Sequence, residues 1–132
     1  MSFELIECET SDLLDQSDRA SKYFKEKLAF EMDPKELIKK LYSENIKIID
    51  VRDFEDYAEY HITGAISIPI NKLRQKIQDL RKDKLNVVYG YDTTCTIALT
   101  AAFILAENGY KVVCLSGGFK YWSQRSFPIE RI

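Results

Sequence analysis

Short runs rich in branched residues alternate with helix-like segments along most of this chain. Ile46–Val51, Asn86–Tyr89 and Lys111–Leu115 are such runs, and their length and composition predict strands. Thr96–Glu107 is an apolar segment of helix length that ends at Asn108-Gly109, a pair typical of a helix stop. Strands that alternate with helices at this spacing predict a mostly parallel sheet covered on both faces, and therefore the α/β class.

The intervening segments carry the signals of further helices and strands. Asp33 suits the N-cap of a helix, and Pro34 suits its first position. The predicted buried face of this helix is Leu37, Ile38, Leu41 and Tyr42. We predict further helices over Phe54–Tyr60, from Asn71 through Leu73, Ile77 and Leu80, and over Phe119–Arg125, and a further strand over Ala65–Ile68.

Residues 1–29 are mostly polar and have a helical pattern. Ser17-Asp18 suits a helix start, and Ala20, Phe24 and Leu28 then recur every four residues on one face. We expect an amphipathic N-terminal helical arm over 1–29 and a single domain over 30–132, because chains of about 100–200 residues usually form one domain. Such an arm offers a surface for a homodimer or for docking of another partner.

Charge and composition exclude several classes of protein. The chain has 19 Lys and Arg against 21 Asp and Glu, a net charge of −2, which argues against a general nucleic-acid binder. No segment approaches the roughly 20 apolar residues of a membrane span, so we expect no membrane partner. Met1–Thr10 has glutamates and no basic residue, unlike a secretory signal peptide.

The cysteines and the histidine also bear on the class. Cys8, Cys95 and Cys114 are odd in number and widely spaced, which favours free thiols in a reducing cytoplasm over a disulfide framework. A single histidine and no CxxC pair leave almost no ligands for zinc, so we expect no metal. Cys114 lies within a predicted strand and is interpreted as an inert core residue, and Cys8, in the polar arm, as incidental.

The loop after Asn86–Tyr89 is the strongest candidate for a site. Functional sites in open parallel sheets lie beyond the carboxyl ends of strands. Backbone N–H groups that point inward, together with the positive end of a helix, stabilise an anion there. A thiol in such a loop ionises below its free pKa of about 8.5, and the thiolate is the nucleophile. The residues of this loop are Gly90, Tyr91, Asp92, Thr93, Thr94, Cys95 and Thr96.

Several short motifs, in order along the chain, resemble the rhodanese family. Ile49-Asp50-Val51-Arg52, Glu55, Tyr57, His61-Ile62-Thr63-Gly64-Ala65 and Ile68-Pro69 resemble its opening half, and Val87-Val88-Tyr89, Gly109-Tyr110-Lys111-Val112, Leu115-Ser116-Gly117-Gly118-Phe119, Trp122 and Pro128 its second half. The resemblance runs from about Phe30 to Ile129. It implies a single-domain rhodanese-like fold, a parallel sheet flanked by helices. It also implies that sulfane sulfur moves from thiosulfate or a persulfide donor to cyanide or a thiol through a cysteine persulfide, with no cofactor.

The loop departs from the family pattern at the reacting position. The family's catalytic cysteine directly follows the strand, where this chain has Gly90. The common loop Cys-x-x-Gly-x-Arg aligns with Gly90, Thr93 and Cys95. The usual nucleophile, loop glycine and loop arginine are therefore replaced, and a displaced thiol remains at Cys95.

Each candidate residue of the loop also has a structural interpretation. Cys95 is either a displaced nucleophile or a small residue packed at a helix start. The threonines of the loop either bind sulfur or cap the helix, and we favour capping. A carboxylate at Asp92 opposes a thiolate by up to about 4 kcal/mol at roughly 4 Å and an effective dielectric constant of about 20. That effect is avoided if Asp92 faces solvent or accepts loop N–H bonds.

The resemblance places Asp50 and Arg52 at the edge of the site as supporting residues. We expect Arg52 to form a structural ion pair with Glu55 or with a neighbouring carboxylate. His61 could act as a general base, but the resemblance places it in a connecting segment, and we favour a hydrogen-bonded structural role.

Two functions of different classes follow. The first is a cytoplasmic sulfurtransferase in which Cys95 accepts sulfur from a small donor or a protein thiol. The second is a catalytically silent rhodanese fold that acts as a binding or regulatory module, which the glycine at position 90 favours. A phosphatase or arsenate-reductase function requires an arginine six residues after the cysteine, and Ala101 occupies that position.

Overall fold

The computed structural model describes residues 16–94 and 96–132. Within these residues the strands, in chain order, are β1 (Glu31–Met32), β2 (Ile46–Asp50), β3 (His61–Ile62), β4 (Ile66–Ser67), β5 (Leu85–Tyr89), β6 (Lys111–Leu115) and β7 (Ile129–Glu130). The central sheet has the order β1-β6-β5-β2-β4, and every neighbouring pair in it is parallel. Strands β3 and β7 form a separate antiparallel pair.

Helices cover both faces of the central sheet. They are α1 (Ser17–Ala29), α2 (Pro34–Lys39), α3 (Phe54–Glu59), α4 (Leu73–Lys76), α5 (Ile97–Glu107) and α6 (Gly118–Gln124), with 3₁₀ turns over Ile70–Lys72 and Ile77–Asp79 on either side of α4. Adjacent residues of the strands point to opposite faces, so Ile49 packs with Leu105 of α5 on one side, whereas Ile48 packs with Trp122 of α6 on the other. The predicted α/β class and the mostly parallel sheet flanked by helices are confirmed.

The start of α2 follows its sequence signals, but its end does not. Asp33 is the N-cap, and its side chain accepts a hydrogen bond from the Lys35 N–H at 2.8 Å. The prediction that Tyr42 is buried is wrong, because the side chain is 82% exposed. The helix ends at Lys39, so the 3.6-residue period that placed Tyr42 on the buried face does not apply to it.

Two other predictions differ from the structure in detail. The helix predicted from Asn71 is a succession of 3₁₀, α and 3₁₀ turns, although Leu73 and Leu80 are buried as expected. The two-residue strands β1, β3 and β7 were not predicted, since two residues are too short to show an alternating pattern.

Helix α1 packs differently from the other long helix, α5. None of its residues is buried, whereas α5 buries Ala101, Ile104 and Leu105. The division into an arm over 1–29 and a domain over 30–132 stays a prediction. Among the helices in the described part of the chain, none has the length and apolar character that crossing a bilayer requires.

Candidate active-site loop

The candidate loop begins where the two central strands end together. Asp50 at the end of β2 lies in register with Tyr89 at the end of β5, and the Val51 N–H donates to the Tyr89 carbonyl at 3.2 Å. Because the strands are parallel, the segment after β2 and the loop after β5 leave the sheet at the same edge. The start of the loop, at Gly90 and Tyr91, and the supporting residues Asp50 and Arg52 are therefore neighbours in space.

The first turn of α6 holds the start of the loop. The Phe119 N–H donates to the carbonyl of Gly90 at 2.9 Å, and the Lys120 N–H donates to the carbonyl of Tyr91 at 2.9 Å. Gly90 itself is buried. The path of the chain at the family's usual cysteine position is thus fixed by backbone hydrogen bonds from another element.

A glycine makes this close approach of α6 possible. Gly118 has a φ of +60°, and a Cβ atom there would lie 2.9 Å from both the Asp92 nitrogen and the Gly90 oxygen. Real Cβ atoms essentially never come so close to backbone atoms. The Gly117-Gly118 turn, predicted only as a turn, therefore also sets the distance between α6 and the loop.

Beneath the loop lies a set of hydrogen-bonded side chains, Asp50, Arg52 and Tyr89, which we call the buried network. Arg52 Nη2 donates to Asp50 Oδ2 at 2.8 Å, and Arg52 Nε lies 3.2 Å from each carboxylate oxygen. Tyr89 Oη donates to Asp50 Oδ2 at 2.6 Å and accepts from the Ile62 N–H at 3.1 Å. The side chains of Asp50 and Arg52 are 0% and 5% exposed. The ion pair predicted for Arg52 is thus made with Asp50 and not with Glu55.

The electrostatics of the buried network favour one protonation state. Burial lowers the pKa of Arg52, but the hydrogen bonds and the charge of Asp50 outweigh this effect and raise the pKa overall. Burial, followed by the charge and hydrogen bond of Asp50, raises the pKa of Tyr89 far above its usual value. Arg52 therefore stays charged and Tyr89 stays neutral. One negative and one positive charge cancel beneath the loop.

Two aromatic rings contact the Arg52 guanidinium near the loop. The guanidinium carbon of Arg52 is 4.1 Å from the ring centre of Phe119 and 5.6 Å from that of Tyr91, distances typical of cation–π contacts. The positive charge of Arg52 is thus engaged by a carboxylate and by these ring faces, and it is shielded from a molecule that approaches the loop.

Tyr91 ties the loop to the start of α3. Its hydroxyl donates to Asp56 Oδ2 at 2.5 Å and accepts from the Asp53 N–H at 3.3 Å. Burial, then the hydrogen bond to Asp56, raises the pKa of Tyr91 to about 12. Tyr91 was predicted from sequence as a residue of the site loop. Asp53 and Asp56 were not predicted as its partners, because they lie more than thirty positions away from it.

Asp92 and Thr94 make a local turn within the loop. Asp92 Oδ1 accepts hydrogen bonds from the Thr94 N–H at 2.9 Å and from the Thr94 hydroxyl at 2.7 Å, an arrangement typical of aspartate in turns. Asp92 therefore accepts a loop N–H bond, one of the two arrangements considered from sequence. Thr93, Thr94 and Thr96 are exposed. Thr96 occupies the N-cap position of α5, but its side chain makes no capping hydrogen bond, so the predicted capping is not made by its hydroxyl.

Of the three cysteines, the structure describes only Cys114. Cys95 and Cys8 lie outside the described residues. Cys114 is buried, as expected, and burial, then the charge of Glu31, raises its pKa to about 11. His61 Nδ1 lies 2.8 Å from the Tyr57 carbonyl, which can only accept, and its ring stacks on Tyr57. The structural role predicted for His61 is confirmed.

Among residues 16–94 and 96–132, no group of three or more His, Cys, Asp or Glu side chains is arranged to hold a metal ion. The chemistry available at the loop is that of backbone amides, hydroxyl groups and whatever thiol the loop carries.

Sequence comparison then assigns the family. Residues 33–125 match the rhodanese-like domain.

The chain belongs to the rhodanese-like domain family.

Relatives of this rhodanese-like chain include both enzymes and larger proteins. It is 38% identical over 88 residues to the thiosulfate sulfurtransferase GlpE of Coxiella burnetii, an alignment that covers 66% of this chain and 78% of GlpE. It is 32% identical over 95 residues to an HTH-type transcriptional regulator of Mycobacterium tuberculosis, an alignment that covers 72% of this chain. The chain spans only 42% of the length of that regulator.

Comparison with solved structures leads to the same family. A protein of Bacillus halodurans, known from its crystal structure, superposes with a TM-score of 0.75 at 38% identity, over 86% of this chain and 85% of that one. The rhodanese-like family and fold, expected from the motifs between Phe30 and Ile129, are confirmed.

Proposed function

We propose that this chain is a sulfurtransferase that carries sulfane sulfur as a persulfide on Cys95. Its family and its identity to thiosulfate sulfurtransferases support the general activity. The observation that carries the proposal is the fixed loop start, where α6 amides bind the carbonyls of Gly90 and Tyr91. The start of the loop therefore keeps a defined path although its first residue is not a cysteine, and the sequence supplies a thiol five residues later.

The proposed reaction has two displacement steps. The Cys95 thiolate attacks the outer sulfur of thiosulfate or of a persulfide, the S–S bond of the donor breaks, and sulfite or a thiolate leaves with the electron pair. An acceptor thiolate or cyanide then attacks the outer sulfur on Cys95, which releases the Cys95 thiolate and forms a persulfide or thiocyanate. Electrons and atoms balance without a cofactor, because sulfur itself is the group transferred.

The loop contributes to this reaction through its backbone. Thiolate and persulfide are anions, and N–H groups at the start of a helix stabilise anions. Helix α5 begins directly after the loop, at Ile97. The hydrogen bonds from Thr94 to Asp92 occupy one oxygen of that carboxylate with donors, which reduces its opposition to a neighbouring thiolate. A reducing cytoplasm suits this chemistry, because the acceptor thiol must stay reduced.

The second candidate function is a catalytically silent binding module. The observation that favours it is Gly90 at the position of the family's nucleophile. In this function the loop serves as a recognition surface for a protein, and the thiol of Cys95 is not required.

The discriminating experiment loads the protein with sulfur and follows its mass. Wild type is incubated separately with thiosulfate and with cysteine persulfide, and intact mass and cyanide-dependent thiocyanate release are measured. We expect a mass gain of one sulfur atom that is lost in Cys95→Ser. Cys114→Ser and Cys8→Ser are the matched controls, and they should load normally.

A pH titration of alkylation tests activation of the thiol. We expect Cys95 to react with half-maximal rate below pH 8.5, about the pKa of a free thiol. Cys114, with a pKa of about 11, stays protonated near neutral pH and should react only as the pH approaches that value. Equal inactivity of wild type and Cys95→Ser with both donors would refute the sulfurtransferase and leave the binding module.

A further inference from the structure

Helix α5 has an almost entirely apolar sequence, although only its inner side packs in the core. Its polar residues are Thr100 and Glu107. Leu99 and Phe103, which lie one turn apart, are each more than half exposed. A surface helix normally carries polar residues on its outer side, and a helix that is apolar all round is normally buried. The outer side of α5 therefore has the composition of a covered surface.

Helix α1 carries a second exposed apolar row. Phe24 and Leu28 lie one turn apart on it, and each is more than half exposed. The ring of Tyr23 contacts that of Phe24 edge-on, with 5.2 Å between the ring centres. Tyr23 thereby extends the row sideways around the helix, and it is itself more than half exposed.

A cavity of about 590 Å³ joins the two rows. Tyr23 and Phe30 line it from the side of α1, and Leu99 and Phe103 line it from the side of α5. A contiguous exposed apolar surface of this kind is typical of an interaction site. We call this surface the apolar face, and its residues are Tyr23, Phe24, Leu28, Phe30, Leu99 and Phe103.

We propose that a second copy of this chain covers the apolar face, in a two-fold dimer in which α1 of each copy packs on α5 of the other. The proposal goes beyond the sulfurtransferase activity and does not depend on it. A two-fold interface brings the same surface of both copies together. The apolar face contains both rows that such a contact requires, so pairing α1 with α5 of the other copy covers both rows on both copies at once.

The charges of the two helices favour this arrangement. Helix α1 has four basic and two acidic residues, a net charge of +2, whereas Glu107 is the one ionisable residue of α5. Packing α1 on α1 would bring two positively charged helices together, whereas packing α1 on α5 brings opposite charges together. The cavity itself carries two charges of each sign, so a second copy meets no net charge there. These residues are Glu26, Lys27, Glu31 and Lys111.

The area of the apolar face matches what a stable dimer needs. Its four aromatic side chains are 58–61% exposed. They offer on the order of 400–500 Å², because an aromatic side chain buries about 150–250 Å² when it is fully covered. Leu28 and Leu99 add further apolar area. A standard interface buries about 800 Å² per partner, of which roughly 60% is apolar. The face therefore supplies the apolar part of a standard interface.

The first test measures dimerisation of the full chain by sedimentation velocity, at protein concentrations from about 1 μM to about 1 mM. We expect a dimer with a Kd on the order of micromolar or lower, as for interfaces of this size. Phe103→Glu places a carboxylate within the face and should raise the Kd at least about tenfold. Tyr42→Glu is the matched control, because Tyr42 is an exposed aromatic residue outside the face, and it should leave the Kd unchanged. Circular dichroism of both variants should match that of wild type, since both side chains are exposed in the single chain.

The second test distinguishes packing of α1 on α5 from other two-fold arrangements. Phe24→Lys changes the row on α1, and Phe103→Glu changes the row on α5. In a mixture of the two variants, the new ammonium group on α1 of one copy faces the new carboxylate on α5 of the other, and the second contact keeps both native residues. We expect the mixture to dimerise at least about tenfold more tightly than either variant alone, because opposite charges then meet across the interface.

Each alternative outcome overturns a stated part of the proposal. A wild type that stays monomeric at every concentration overturns the dimer, and it leaves the apolar face to another protein or to residues 1–15 of the chain. A Kd that Phe103→Glu does not change, or that Tyr42→Glu raises equally, overturns the assignment to this face. Failure of the mixture to recover dimerisation overturns the packing of α1 on α5. The proposed sulfurtransferase stands in every case, because its test follows sulfur on Cys95.

Discussion

The buried network and the exposed part of the loop lie next to each other, yet they are held in different ways. Asp50 and Arg52 are almost completely buried. Besides their ion pair, Asp50 accepts a hydrogen bond from the Tyr89 hydroxyl, and Arg52 donates to the Tyr60 carbonyl. Asp92 and Thr94 instead bond to each other, two positions apart, at the surface. The network beneath the site thus joins distant segments through Tyr89 and Arg52, whereas the turn made by Asp92 and Thr94 is held by local contacts.

This difference explains how the loop can lose the family's usual residues without loss of the fold. A change in the buried network leaves a buried charge or polar group without a partner, which is expensive. A change at an exposed loop position leaves groups that water can satisfy. Thr93 is such an exposed position in the segment after β5, where a substitution alters the chemistry more than the stability.

Removal of Arg52 should have the largest effect. Arg52→Ala leaves the Asp50 carboxylate buried without its opposite charge, and we expect the free energy of unfolding to fall by about 3–5 kcal/mol. Chemical denaturation measures this change. The matched control is Arg81→Ala, which removes an arginine from the exposed Arg81–Asp83 pair and should have no measurable effect. Equal effects of the two substitutions would contradict the contrast between the regions.

Gly118 packs against the backbone of the loop, and its substitution should have the second-largest effect on the free energy of unfolding. In Gly118→Ala the new Cβ meets backbone atoms of Gly90 and Asp92 at 2.9 Å, so α6 and the loop must move apart. We expect a loss of about 3 kcal/mol, which combines the left-handed backbone with a steric clash. Gly109→Ala is the control, because Gly109 also has positive φ but its Cβ would be 3.5 Å from the flexible end of Lys82. A smaller loss for Gly118→Ala than for Gly109→Ala would refute the close packing.

Substitution of Tyr89 tests the hydrogen bonds of the buried network without removing a charge. Tyr89→Phe deprives the Asp50 carboxylate of a donor and the Ile62 N–H of its acceptor. We expect a loss of about 2 kcal/mol in the free energy of unfolding, measured by chemical denaturation. Tyr60→Phe, at a ring that is 39% exposed, should leave stability unchanged. No loss in Tyr89→Phe would mean that water replaces both partners.

Tyr91 is half-buried in the loop, and its substitution should have the smallest effect on stability. Tyr91→Phe removes the hydrogen bonds to Asp53 and Asp56, and we expect a change below about 1 kcal/mol in the free energy of unfolding. The local effect should be clear, because the Asp53 N–H loses its acceptor. Hydrogen exchange at the Asp53 amide should accelerate in Tyr91→Phe, while exchange at the Val87 amide in β5 serves as the control and should stay slow.

The sequence predicted the sheet well because its signals are local. Lys111–Leu115 has the predicted bounds, and the predicted strand Asn86–Tyr89 is only one residue shorter than β5. Such strands are recognised from neighbouring residues alone, since branched residues cluster in them. The prediction failed for Tyr42, where the helix ended earlier than its periodicity suggested.

The site was predicted less completely because its contacts connect distant positions. The motif resemblance marked Asp50 and Arg52, but it did not show that Tyr89 completes their network, because Tyr89 has the composition of an ordinary strand residue. Nor does any local pattern pair Tyr91 with Asp56, which lies 35 positions away. An exposed carboxylate at the start of a short helix is expected for helix capping alone. The hydrogen bond that Asp56 accepts from Tyr91 in the loop therefore had no signal in the sequence.

The two margins of the central sheet have a consequence for how the molecule behaves at high concentration. β1 and β4 lie at these margins, and each contains only two residues. A long open strand is a template on which other chains polymerise, and a very short one gives them little to pair with. The brevity of β1 and β4 therefore protects the long hydrophobic strands between them from recruitment into aggregates.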